Sequence, residues 1–314
     1  MVKNFFKNHP IHKKIVPFFD YFFLVNPLSF LIYWIIVCIG IYFPLLSVDS
    51  SPLFLTDFNY KFTFLFLGLS MLVAIINLKK QAYYKNIFQN NITQFINMEY
   101  INKIMGILLF FSLFFLILVS WVNLILGLFL VGISFYLLNN KSKNSYLLFF
   151  VEFYIGMLLF INGYAYSITL VEYQFPSIEN YLLLFSYIIF YVSIFMTFEI
   201  LFDSNRAFVL KENKVFVLMV FLLCFCLGIS IYLNDPLLSI CICTSIPFFI
   251  YAVLRHMKKD FQRAFFYPLF LINFFTVTIF PILAIPCLVL FWVGKYYNWH
   301  RFDYHFPTFL VDND

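Results

Sequence analysis

Charge is scarce in this sequence. Asp, Glu, Lys and Arg make up 11% of its 314 residues, apolar residues make up 63%, and the mean hydropathy is +0.91. A water-soluble domain needs more polar surface than that, so no part of the chain reads as a soluble domain. Histidine is missing from every apolar stretch: His9, His12, His256, His300 and His305 all fall outside them, which argues against a histidine metal or catalytic cluster. The six cysteines (Cys38, Cys224, Cys226, Cys241, Cys243, Cys287) lie inside apolar stretches. Cys224/Cys226 and Cys241/Cys243 have CxC spacing, but residues i and i+2 of a helix face different ways, so they read as small apolar side chains in packed helices. No small-residue cleavage site follows a short apolar core near the start, so a cleaved signal peptide is not expected.

Long apolar runs are what the chain has instead. They cover 27–46, 58–78, 104–120, 121–138, 146–170, 181–202, 215–233, 236–254 and 264–293. Each approaches or exceeds the roughly 20 residues that a helix needs to cross a bilayer. When the runs are threaded alternately, 17 of the 20 basic residues fall on one side. They are Lys3, Lys7, Lys13 and Lys14; Lys79, Lys80, Lys85 and Lys103; Lys141 and Lys143; Arg206, Lys211 and Lys214; and Arg255, Lys258, Lys259 and Arg263. Basic loops stay in the cytoplasm, so the N-terminus and the 79–103 and 203–214 loops are expected there. The net charge of +5 is thus a topology signal and gives no reason to expect a nucleic-acid partner.

The expected fold is an all-α polytopic membrane protein with about nine transmembrane helices around a central cavity. Residues 1–23 are basic and aromatic and read as an interfacial segment, 24–294 as one transmembrane helical domain, and 295–314 as an aromatic and basic tail. The 264–293 run is too long for one perpendicular crossing and carries Pro268, Pro281 and Pro286, so it is either one kinked helix or two pieces. With nine crossings the tail lies outside, although its Lys295 and Arg301 favour the inside.

Ionisable groups in or beside a span are costly and mark functional candidates. Glu199 and Asp203 lie four apart at the cytoplasmic end of the sixth run, on one helix face, where two carboxylates can hold Mg²⁺. Glu152 sits in the middle of the fifth run, ten residues before Asn162.

The order of local motifs resembles the UbiA-type intramembrane prenyltransferases. Val25-Asn-Pro-Leu-Ser-Phe30 is similar to that family's entry into its first helix. The stretch from Phe135-Tyr136 to Lys141-Ser-Lys143 is similar to the family's Tyr- and Lys-containing stretch after the fourth. Gly156 and Asn162-Gly163-Tyr164 resemble the Gly-rich span that follows, and Glu199 to Lys214 stands in the place of the second Asp-rich motif. The resemblance implies that Mg²⁺ on Glu199 and Asp203 binds the diphosphate of an isoprenyl donor, and that the ionised donor is attacked by a hydrophobic aromatic or lipid acceptor. It also implies substrate-binding roles for Asn77, Lys79, Lys85, Tyr136, Lys141, Lys143, Asn162 and Arg206, and residence in a bacterial inner membrane.

The first Asp-rich motif differs. Asn77 matches, but Leu78, Gln81 and Lys85 stand where the family has aspartates, and 75–98 contains no Asp or Glu. Lys79, Lys80 and Lys85 can neutralise phosphate directly as point charges. Three readings follow: a divergent transferase, a catalytically inactive homologue that binds an isoprenoid or lipid as an interaction protein, or a polytopic transporter; the expected ligand is an isoprenyl diphosphate or polyprenyl phosphate.

Overall fold

In a computed structural model the chain is described at residues 9–25, 27–45, 60–85, 98–139, 145–168, 178–202 and 214–302. Every element in these residues is a helix. In chain order they are α1 (Pro10–Leu24), α2 (Leu28–Leu45), α3 (Tyr60–Lys85), α4 (Met98–Val119), α5 (Trp121–Asn139), α6 (Ser145–Ile168), α7 (Ile178–Phe202), α8 (Val215–Tyr232), α9 (Pro236–Arg255) and α10 (Lys258–Ile279). A 3₁₀ turn at Pro281–Leu283 then leads into α11 (Ala284–Phe302). Five helices (α3, α4, α6, α8 and α9) are individually long and apolar enough to cross a membrane. A sixth span results if α1 and α2, bent by 46° at their joint, count as one, and α5, α7 and α11 contain shorter apolar stretches. The protein is a helical membrane protein.

The apolar runs form helices because in a bilayer only bonds within the segment can satisfy its backbone groups; their Ser and Thr hydroxyls donate back to carbonyls three or four residues earlier, as Ser134 does to Leu130 at 2.6 Å. Breaks fall where the backbone or a cap demands them. At Ser120 the α4–α5 hairpin turns, and its hydroxyl accepts from the Asn123 amide nitrogen at 3.1 Å. At 233–235 the turn is tight: Asn234 adopts φ 55°, and Asp235 caps α9 by accepting from Leu238 N at 3.0 Å. At 281 a proline has no N–H to offer helix α10, and the chain restarts as a 3₁₀ turn. Pro247 and Pro268, by contrast, are carried inside continuous helices.

Ring and hydrogen-bond contacts fix which helix ends meet. At one end Asn77 of α3 reaches the α1–α2 joint, and Leu24, Leu78 and Ile101 bury one another. The starts of α8 and α10 meet at the same end, with the Phe216 and Phe261 rings edge to face at 5.5 Å. This is the basic end, bearing Lys79, Lys103, Lys214 and Arg255. At the other end Phe62 of α3 touches Tyr166 and stacks with Phe280, and Tyr187 of α7 donates to Asp235 at 2.8 Å.

α2 packs chiefly on α6, and α7 touches α2, α6, α8 and α10. The α2–α6 crossing is close. A Cβ on Gly163 would lie 2.2 Å from the Val37 carbonyl oxygen, and one on Gly40 2.3 Å from that of Phe160. Glycine permits that approach, and in a bilayer close packing is what holds helices together. Residues 186–197 of α7 are buried on every face. A groove of about 440 Å³, lined by Ile125, Leu128, Phe129, Gly132 and Ile133, lies on the outer face of α5.

The cysteines divide as helical geometry requires: Cys226 and Cys241 are buried, Cys224 and Cys243 are exposed, and all six are free thiols.

Candidate functional site

The candidate site is the basic end, where α3, α5 and the α1–α2 joint come together. Asn77 lies almost at the end of the apolar part of α3. Both its amide hydrogens are engaged: Nδ2 donates to the Val25 carbonyl oxygen and to Ser29 Oγ, each at 2.9 Å. The side chain is buried. It satisfies a carbonyl where the chain bends between two helices, which is a positioning task.

Leu78, where the resembled family carries an aspartate, is 1% exposed and packs with Leu24 and Ile101. That helix position points into packing against α1 and α4. Next to it Lys79 is partly exposed, and its Nζ lies 5.5 Å from the centroid of the Phe135 ring on α5. A cation over an aromatic face is held by the ring quadrupole at a cost low enough for an anion to compete for it. Lys79 therefore bridges the ends of α3 and α5.

Asn162 is elsewhere. It lies in the opposite half of α6, fully buried, and its Nδ2 donates to the Leu158 carbonyl at 2.8 Å. Asn123 Nδ2 donates in turn to the Asn162 carbonyl at 2.8 Å and to Asn162 Oδ1 at 3.3 Å, while Asn123 Oδ1 accepts from Ser120 at 2.7 Å. This polar bracket ties α6 to the α4–α5 turn, away from the basic end. Asn123 had no sequence signal beyond being a polar residue in an apolar run.

Lys85, Tyr136 and Glu199 belong to the ends of α3, α5 and α7, but their side chains lie outside the described residues, as do Lys141, Lys143, Asp203 and Arg206 altogether. The Mg²⁺ expectation thus falls mainly outside them. Among the described residues no three His, Cys, Asp or Glu side chains gather in a group able to hold a metal ion.

Glu152 is fully buried in α6. One turn on, Gly156 faces the Tyr191 ring of α7, whose Cε1 would lie 2.7 Å from a Cβ at that position. Tyr191 lies 6.2 Å from Tyr33 of α2, ring to ring.

A second polar cluster joins the two ends of the chain. Tyr297 near the end of α11 donates to Asp20 Oδ1 at 2.7 Å, and its ring stacks on Phe23 at 4.0 Å and 6°. The Tyr296 hydroxyl and His12 Nδ1 share a hydrogen bond. α1 is thereby held from two sides, by α11 through Asp20 and Phe23 and by α3 through Val25. Its remaining apolar stripe, Ile11, Ile15, Phe18 and Phe22, is exposed.

No family model, curated protein or solved structure matches this chain.

Proposed function

We propose that the protein binds an isoprenyl diphosphate or polyprenyl phosphate at the basic end of α3 and α5, as a divergent UbiA-like membrane protein of a bacterial inner membrane. Its nine apolar runs span the bilayer and its N-terminus is cytoplasmic. The observation that carries the reading is Lys79, a cation parked over the Phe135 ring, at a helix end free of carboxylates from 75 to 98. Such an end attracts an anionic headgroup, and the apolar helices beside it accommodate an isoprenoid chain.

In the transferase form of this reading, Glu199 and Asp203 hold Mg²⁺, which when bound stabilises charge on the leaving diphosphate. Lys79 and Lys85, with Lys141, Lys143 and Arg206, bind the phosphates. The isoprenyl group passes to an aromatic or lipid acceptor. Burial of Leu78 favours the second form, in which the donor is bound without turnover. Leu78, at the first of the motif's aspartate positions, is spent on packing, and two carboxylates, Glu199 and Asp203, remain for the metal.

The two forms separate in one experiment. Purified protein is given a prenyl diphosphate, Mg²⁺ and a panel of aromatic and lipid acceptors, and diphosphate release is measured. Release that Asp203→Asn reduces at least about a hundredfold supports transfer, since metal stabilisation of a leaving group is worth several kcal/mol. Thermal stabilisation without release supports binding alone. Neither effect overturns both.

A further inference from the structure

The last apolar run, 264–293, forms two helices that point in opposite directions. α10 starts at the basic end, where Phe261 meets Phe216. It finishes at the other end, where Phe280 stacks on Phe62 with ring centroids 6.1 Å apart. α11 then returns: it leaves the 3₁₀ turn at 281–283 and delivers Tyr297 to Asp20 and Phe23 of α1, which enters α2 at the basic end. Lengths agree. At about 1.5 Å per residue the apolar part of α10, residues 264–279, rises roughly 24 Å and the apolar stretch Pro281–Tyr297 roughly 25 Å, each somewhat short of the ~30 Å hydrocarbon core and together well beyond it. One kinked crossing cannot absorb both.

We propose that this run crosses the bilayer twice, so that the chain spans it ten times, α2 to α11, and both termini lie on the cytoplasmic face, locked together through Asp20, Phe23 and Tyr297. Three independent features agree. An even number of crossings brings Lys295 and Arg301 to the side of the other 17 basic residues, leaving Lys61 alone opposite. Lys295 sits with its Nζ 5.4 Å from the ring centroid of Trp292, itself exposed, and a Trp–Lys pair of this kind marks a membrane–water boundary. The Asp20–Tyr297 pair, a carboxylate and a phenol, is buried among α1 and α11 side chains and joins residues 277 apart in sequence, a pairing that a tail on the far side of a membrane cannot make. The terminal lock also has a consequence for the candidate site. α1 is fixed at the basic end between the Asn77 contact at Val25 and the Tyr297 contact at Asp20, the end of the bundle that bears Lys79.

Sidedness tests this without reference to any ligand. The full-length chain carries green fluorescent protein or alkaline phosphatase at its C-terminus in intact bacterial cells, and, separately, Pro281→Cys is probed with a membrane-impermeant maleimide, with the unsubstituted protein as background. The expected result is a fluorescent fusion, phosphatase activity at least about tenfold below that of a periplasmic control fusion, and labelling of Pro281→Cys from outside. Ala284→Cys reads the same turn should Pro281→Cys not accumulate. A phosphatase-active C-terminus, or a 281 or 284 cysteine labelled only after the cells are opened, would overturn the tenth crossing. Because no step reads catalysis or ligand binding, failure of the isoprenoid reading leaves this result intact.

Discussion

The hydroxyl of Tyr297 donates to Asp20 at 2.7 Å, and the ring beneath that hydroxyl lies flat on Phe23. Asp20 is 3% exposed and Tyr297 0%. Removing the donor leaves a buried carboxylate with one partner fewer, whereas removing the ring also leaves a hole. Tyr297→Phe should therefore lower stability by about 1–3 kcal/mol, and Tyr297→Ala by about 3–5 kcal/mol, read as successive drops in the thermal unfolding midpoint in detergent. Equal midpoints for Tyr297→Phe and the native chain would mean that the hydrogen bond contributes nothing to the terminal lock.

The α2–α6 crossing makes a paired prediction. A Cβ at 163 meets backbone, which cannot move aside, while a Cβ at Gly228 meets nothing within 4 Å. Gly163→Ala should cost about 1–3 kcal/mol through forced separation of the two helices. Gly228→Ala should be neutral or stabilise by up to about 1 kcal/mol, because alanine is the better helix former. The two midpoints measured side by side distinguish close packing from a general effect of losing glycine.

Leu78 invites a substitution that sequence reasoning alone would recommend. Restoring an aspartate there reads as rebuilding a metal motif. The structure predicts the opposite: a carboxylate would be buried against Leu24 and Ile101. Leu78→Asp should cost on the order of several kcal/mol and reduce recovery of monodisperse protein, and Mg²⁺ should not restore the midpoint. A Leu78→Asp protein stabilised by Mg²⁺ would show that the position faces the site.

Asn162 should behave as a bracket. Asn162→Ala and Asn123→Ala should each lower stability, with a coupling between them of roughly 0.6–1.7 kcal/mol, the range of interhelical hydrogen bonds in membrane proteins. Neither should change the affinity for a prenyl diphosphate. The check is a double-mutant cycle of unfolding midpoints beside a ligand titration.

Helices were legible in the sequence because each apolar run is longer than a turn could interrupt. The opposed facing of Cys224 and Cys226 followed from 100° per residue. The split of the last run was visible as a choice, and Pro281 decided it: unlike Pro268, it coincides with a change of direction that tertiary contacts at Phe280 enforce. Site roles were less legible, because they depend on partners far away in sequence. Nothing local in the sequence shows that Asn77 donates to Val25 and Ser29, that Ile101 covers Leu78, or that Asn123, 39 residues earlier, binds Asn162.

Binding of an isoprenoid headgroup at Lys79 is read out by ligand-dependent unfolding of the purified protein. A prenyl diphosphate should raise the unfolding midpoint with rising concentration, because it binds the folded state alone. Inorganic diphosphate should do so less, lacking the apolar chain. Lys79→Ala should require about tenfold more ligand for the same rise, the effect of losing one charge-assisted phosphate contact of about 1.4 kcal/mol. A midpoint unmoved by prenyl diphosphates, with or without Mg²⁺, or a rise that Lys79→Ala leaves unchanged, would contradict it.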